Sequence, residues 1–376
     1  MTSVKKLLCE LIALPSVNPA FLPAGDPRAG EQRVADFLAA TAARAGLEVE
    51  FQEVFPGRSN VLARLAPAGR TRQRVVLAPH LDTVGGESPE LFQPREKGGR
   101  LHGRGACDTK GSVAAMLAAL TGLTSSPQRP KQTEIVFAGL ADEENGQGGS
   151  RALVAKGLRA DLAIVGEPTR LHVVTAHKGD LWLQLETRGK AAHGSRPELG
   201  RNAVHEMARI VDLLETTYAA ALRRREHPLL GHPTVSVGAI AGGSQPNIVP
   251  DRCRISIDRR TVPRETESGV RREIQALLKK HRLNARLLNI RNAPCPALET
   301  DPKRPLVQQF LESARQTRPA GVDYFCDAAV LAGGGVPAVV FGPGDIAQAH
   351  TADEWISLSE LDAAAALLFS FLQSLP

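Results

Sequence analysis

Six side chains in this sequence are of the types that hold divalent cations and activate water: His80, Asp108, the adjacent Glu143 and Glu144, Glu167 and His350. Imidazole and carboxylate without thiolate suit zinc, cobalt or manganese in a hydrolytic site. Two metals held close together need a shared ligand, and a carboxylate is the natural bridge. Asp108 is the best candidate, because Gly103-Arg104-Gly105 lets the backbone turn tightly just before a helix begins. His80 and Asp82 are one residue apart, which at a strand end puts both on one face. Asp82 can then accept a hydrogen bond from the second ring nitrogen of a metal-bound His80. The neighbours Glu143 and Glu144 should point apart, one toward a metal and the other over the activated water as general base. Each signal alone is commonplace. A histidine at a strand end is more often structural, a Glu-Glu pair more often a solvated loop. A glycine turn before a helix could cradle phosphate, but the Lys-Ser/Thr ending of a phosphate loop is missing. Their joint placement on successive strand ends favours the metal site.

These residues need elements that bring them together. The first half of the chain alternates short apolar strands with helices. The extended runs 74–78, 134–139 and 161–165 end in Pro79-His80-Leu81-Asp82, Ala141-Asp142-Glu143-Glu144 and Gly166-Glu167-Pro168, and a helical run 111–123 follows Asp108. That rhythm predicts an α/β domain with a mostly parallel sheet flanked by helices, whose function collects beyond the carboxyl ends of the strands. Between residues 177 and 290 the order becomes β-α-β-β-α-β, that of an inserted ferredoxin-like α+β unit. The expected division is therefore a metal-binding domain of residues 1–176 and 291–376 and a second domain of residues 177–290.

Bulk properties narrow the class. Of 376 residues, 43% are hydrophobic and 23% charged, the balance of a soluble globular protein. The formal charge is +6, but the basic residues are scattered and not interleaved with aromatics, so a solvated surface is expected and no nucleic-acid partner. Five widely spaced cysteines without a Cys-x-x-Cys pair fit a reducing compartment. The first fourteen residues read as an amphipathic helix rather than a secretory signal. No run approaches a membrane span, and the expected location is cytoplasmic.

Longer motifs add a resemblance. His80-Leu81-Asp82-Thr83-Val84, the Asp108 segment, Asp142-Glu143-Glu144-Asn145-Gly146, Gly166-Glu167-Pro168-Thr169 and Ala349-His350-Thr351-Ala352-Asp353-Glu354 resemble, in order and over nearly the whole chain, one family of dinuclear zinc hydrolases. It comprises acetylornithine deacetylase, succinyl-diaminopimelate desuccinylase, aminoacylase and the glutamate carboxypeptidases. The resemblance implies two Zn2+ ions, for which Co2+ or Mn2+ can substitute, bridged by Asp108. His80 and Glu167 would complete one site, Glu144 and His350 the other, with Glu143 as general base and Asp82 behind His80. It further implies that the inserted domain is a lid and the contact of a homodimer. His193, in Gly189-Lys190-Ala191-Ala192-His193-Gly194-Ser195, would polarise the scissile carbonyl in the partner's site. Asn247 and Arg260 would grip a substrate carboxylate, a task suited to a guanidinium fork.

Gly342-Pro343-Gly344-Asp345-Ile346-Ala347-Gln348-Ala349-His350 is most similar to the acetylornithine deacetylase branch, whereas Phe325-Cys326-Asp327-Ala328-Ala329 is closer to the glutamate carboxypeptidases. The expectation is removal of an acyl group from a small N-acyl amino acid. A carboxypeptidase or dipeptidase is the alternative, and a catalytically silent binding protein on the same scaffold a distant one.

Overall fold

The computed structural model describes residues 3–86, 88–290 and 295–376. They form two compact units, one of residues 1–175, 300–320 and 326–376, the other of residues 176–299 and 321–325.

The first unit is built on a mixed sheet. Its strands run in the spatial order Glu48–Phe55, Arg58–Leu65, Thr133–Gly139, Gln73–Pro79, Leu162–Gly166 and Ala338–Val340. The last four are mutually parallel, and the first two form an antiparallel hairpin along one side. The parallel strands are short continuous apolar runs, as a sheet covered on both faces requires. Val75 and Leu77, with Ile135, Phe137, Leu162 and Ile164, face one core. That core is shared with helices Val4–Ile12, Gln32–Arg44, Lys110–Thr124, Pro305–Ser313 and Leu358–Gln373. The alternate residues Val76, Ala78, Val136 and Val165 are buried too, on the opposite face, where helix Asp327–Gly333 packs on strands Leu162–Gly166 and Ala338–Val340. Glu48–Phe55 and Arg58–Leu65 therefore meet as a hairpin with no helix between them, a local departure from the strand-helix rhythm.

The second unit is an antiparallel sheet in the order Thr234–Gly242, Arg252–Thr261, Gly179–Arg188 and Arg286–Asn289. Leu181, Leu183 and Leu185 alternate inward with Cys253, Ile255 and Ile257, against Met207, Ile210, Ile274 and Leu278 of two helices. The period of two and the 3.6-residue helical stripe meet on one apolar layer. One helix starts at Ala203, where Asn202 caps the amides of Val204 and His205, and the other at Glu267, where Thr266 caps Gly269. Strand order and direction are those of a ferredoxin-like unit. The first helix, Ala203–Leu213, is not uniform. It passes through a π turn, Leu214–Tyr218, before a short helix Ala219–Leu222. No helix among the described residues is long and apolar enough to cross a membrane.

Candidate metal centre

Parallel pairing aligns three strand ends at one edge of the first unit. Pro79 pairs with Gly166, and His80 bridges Leu140. The residues that follow, His80 with Asp82, Glu143 with Glu144, and Glu167, therefore emerge side by side. The loop before helix Lys110–Thr124 brings Asp108 to the same edge, held to it by a hydrogen bond from the Thr109 hydroxyl to the carbonyl of Gly166 (3.0 Å). His350 arrives on a loop beyond strand Ala338–Val340, with a left-handed φ of 62°.

Two groups of three ligand atoms result, each within 4.8 Å: His80, Asp108 and Glu167, and Asp108, Glu144 and His350. Asp108 belongs to both. His80 Nε2 lies 3.0 Å from Asp108 Oδ1 and 3.9 Å from Glu167 Oε1. His350 Nε2 lies 3.3 Å from the other Asp108 oxygen and 3.1 Å from Glu144 Oε2. The first group is buried, whereas the His350 side chain is 56% exposed, so the second opens toward solvent.

Burial pushes the carboxyls of Glu167 and Glu143 well above the usual range, and burial with the nearby Asp108 charge raises Glu144 to about 7. Hydrogen bonds donated to Asp108 and Glu144 raise His350 to about 10. Burial opposes a charge on His80, yet its contacts with Asp108 and Asp82 lift its pKa well above the ordinary value. The crowded carboxylates thus draw positive charge to this edge. One further oxygen, Glu144 Oε1, is buried with no hydrogen-bond partner among the described residues. A buried, acid-rich donor set of oxygens and imidazoles, with an unsatisfied oxygen, fits a pair of divalent cations.

Asp82 lies behind His80 and also holds the loop that follows strand Thr133–Gly139. His80 Nδ1 lies nearest the backbone carbonyl of Asp82, at 3.0 Å, with the carboxylate at 3.5 Å. That carboxylate accepts from the amides of Glu143 and Glu144, both at 3.0 Å, and from the Asn18 side chain at 2.8 Å. Asn18 also donates to Asp142, which sits at φ 69° and is paired with Arg58, itself held by the buried Glu31. None of Asn18, Glu31 and Arg58 carries a chemical signal in the sequence, since each is tens of residues from these partners. Asp327, which the sequence offers only as part of the Phe325-Cys326-Asp327 segment, is buried, accepts from the Ser150 hydroxyl, and its carboxyl is pushed by burial to about 7.

His193, Asn247 and Arg260 belong to the second unit. His193 is exposed, with Nδ1 2.7 Å from the Ser195 hydroxyl. Asn247 is exposed in the loop after strand Thr234–Gly242, and its carbonyl accepts from the Gly194 amide. Arg260 donates Nε and Nη2 to the two oxygens of Asp258, at 2.8 and 2.9 Å. Its fork is already engaged within its own strand, which the sequence did not suggest. Arg259 alternates to the buried face and pairs with Glu265.

The profile of peptidase family M20/M25/M40 matches residues 76–374. An acetylornithine deacetylase from Myxococcus xanthus is 31% identical over 382 residues, covering 98% of this chain and 96% of that protein. Among solved structures, an M20 family metallo-carboxypeptidase from Sulfolobus solfataricus is similar with a TM-score of 0.78 and 21% identity, over 99% of both chains. The aminopeptidase PepT from Bacillus cereus has a TM-score of 0.79 and 22% identity, over 99% of this chain and 97% of that one.

Proposed function

Because the chain belongs to peptidase family M20/M25/M40, we propose that it is a dinuclear metal hydrolase that removes an acyl group from a small N-acyl amino acid. The observation that carries this reading is the pair of ligand groups sharing Asp108. His80 and Glu167 would hold one ion, Glu144 and His350 the other, and Asp108 both, with zinc preferred and cobalt or manganese able to substitute. Two such ions, when bound, lower the pKa of water toward neutrality and stabilise an oxyanion. Glu143 receives the proton of the attacking water on its carboxylate and returns it to the leaving amine. Burial holds its carboxyl well above the usual carboxylate range, the direction a proton-shuttling group needs. Asp82 keeps that carboxylate and Glu144 apart by holding their backbone amides. In the same proposal the second unit is lid and dimer contact, His193 polarises the carbonyl in the partner's site, and Asn247 and Arg260 take the substrate carboxylate. The location is cytoplasmic.

The acetylornithine deacetylase relative supports an N-acetyl substrate. The Phe325-Cys326-Asp327 segment and the peptidase structures favour the second reading, a carboxypeptidase or dipeptidase. A screen of N-acetyl amino acids, N-succinyl amino acids and dipeptides, with zinc and with cobalt, separates them. Preference for N-acetyl amino acids, N-acetylornithine foremost, is expected. Faster cleavage of dipeptides would move the assignment to a peptidase, and no hydrolysis with two ions bound would point to a silent scaffold.

A further inference from the structure

We infer that Glu354 is a positioning residue for both metal sites, tying the segment that carries His350 to the loop that presents Asp108; the inference rests on the dinuclear reading above. Glu354 is 1% exposed. Its Oε2 accepts from Arg104 Nη1 and the Gly105 amide, both at 2.9 Å. Its Oε1 accepts from the amides of Cys107 at 2.8 Å and Asp108 at 3.0 Å. Its own carbonyl accepts from the Gly103 amide at 3.0 Å.

The loop thus wraps its amides around one carboxylate, a concave anion-binding nest. Gly105, at φ 82°, makes the turn, and a Cβ there would come within 2.9 Å of the Lys110 side chain. Three of the four donors are backbone groups, one of them that of Asp108 itself, so these bonds fix where the shared ligand leaves the chain. His350 lies four residues before Glu354 on the same segment. One side chain therefore sets the separation of the bridging ligand and a terminal ligand. All four partners donate, so a glutamine would turn an NH2 group against backbone N–H groups and leave buried donors unpaired.

The test titrates metal-free wild type and Glu354→Gln with Co2+, following visible absorbance and bound metal. It also measures amide exchange at Gly105, Cys107 and Asp108 in the metal-free proteins. Glu354→Gln should lose about 10–100-fold in affinity for both ions, because Asp108 serves both, and the three amides should exchange faster. A role confined to stability would lower Tm and leave metal affinity unchanged, and that outcome overturns the inference. Should wild type take up no Co2+, the dinuclear reading fails on its own. Amide exchange then decides about Glu354, since unchanged rates in the variant would overturn its role. If Glu354→Gln does not fold, Glu354→Asp withdraws the carboxylate by one methylene. Weakened uptake of both ions in that variant supports the inference, and wild-type uptake refutes it.

Discussion

Asp82 spends both carboxylate oxygens on neighbouring backbone amides, those of Glu143 and Glu144. Adjacent residues so anchored can aim their side chains at different tasks. Glu143→Ala should therefore abolish turnover while two ions stay bound, since a base meets water rather than metal. Metal analysis showing one ion lost would require Glu143 and Glu144 to exchange roles. Arg260 raises a different question, because Asp258 already occupies two of its donors. If the guanidinium takes a substrate carboxylate, Arg260→Ala should cost about 1.5–3 kcal/mol, roughly 10–100-fold in kcat/KM. Esterifying the substrate carboxylate should then hurt the variant little further. Asp258→Asn, which loosens the competing pair, should lower KM. Additive losses in the first comparison would exclude Arg260 as the grip.

At the scale of the element, strand Val174–His177 carries a buried histidine. His177 Nδ1 donates to the carbonyl of Lys178 at 2.8 Å, and Nε2 is buried with no hydrogen-bond partner among the described residues. A ring so placed is neutral, and burial depresses its pKa to about 4. The folded pKa lies below the unfolded value near 6.5, so between the two the unfolded chain binds the extra proton. The contribution is complete above about pH 6.5 and declines as the pH falls toward 4, reaching a loss of about 3 kcal/mol there. Urea unfolding from pH 7.5 to 4 should show a shallower decline for His177→Gln than for wild type. Parallel curves would mean that His177 keeps an ordinary pKa.

For the whole molecule, the proposed dimer makes a prediction that no single-subunit mechanism shares. Glu143→Ala and His193→Ala should each be inactive. Mixed after subunit exchange, they form hybrids in which one composite site holds both intact residues and the other neither. Partial recovery of activity is expected. Its absence, with exchange demonstrated independently, would confine His193 to its own subunit or remove it from catalysis. Chelation supplies a second whole-molecule measurement. Two ions that bind the folded chain alone each stabilise it by about 2.7 kcal/mol at one hundred times Kd. The stripped protein should melt lower and recover on adding Zn2+. An unchanged Tm would argue against resident metal.

Much of this was readable one residue at a time. Donor chemistry belongs to the side chain, so His80, Asp108, Glu143, Glu144, Glu167 and His350 could be picked out by type and by their place after apolar strands. Parallel pairing then needs only short-range patterning to put three of those strand ends on one edge. The period-two and helical patterns of residues 177–290 likewise carried the strand order of the second unit. What holds the ligands still was not readable. Glu354 and the Asp108 amide are 246 residues apart, and Asn18 and Asp82 are 64 apart. Nothing in a local pattern says that those residues meet. The engagement of Arg260 by Asp258 was closer at hand, two residues away on one strand face, yet the same spacing serves equally for two independent surface charges. Residue type and local periodicity determined which groups could do the chemistry. Only the folded chain decided which buried donors and acceptors meet, because a hydrogen bond depends on positions to within a few tenths of an ångström.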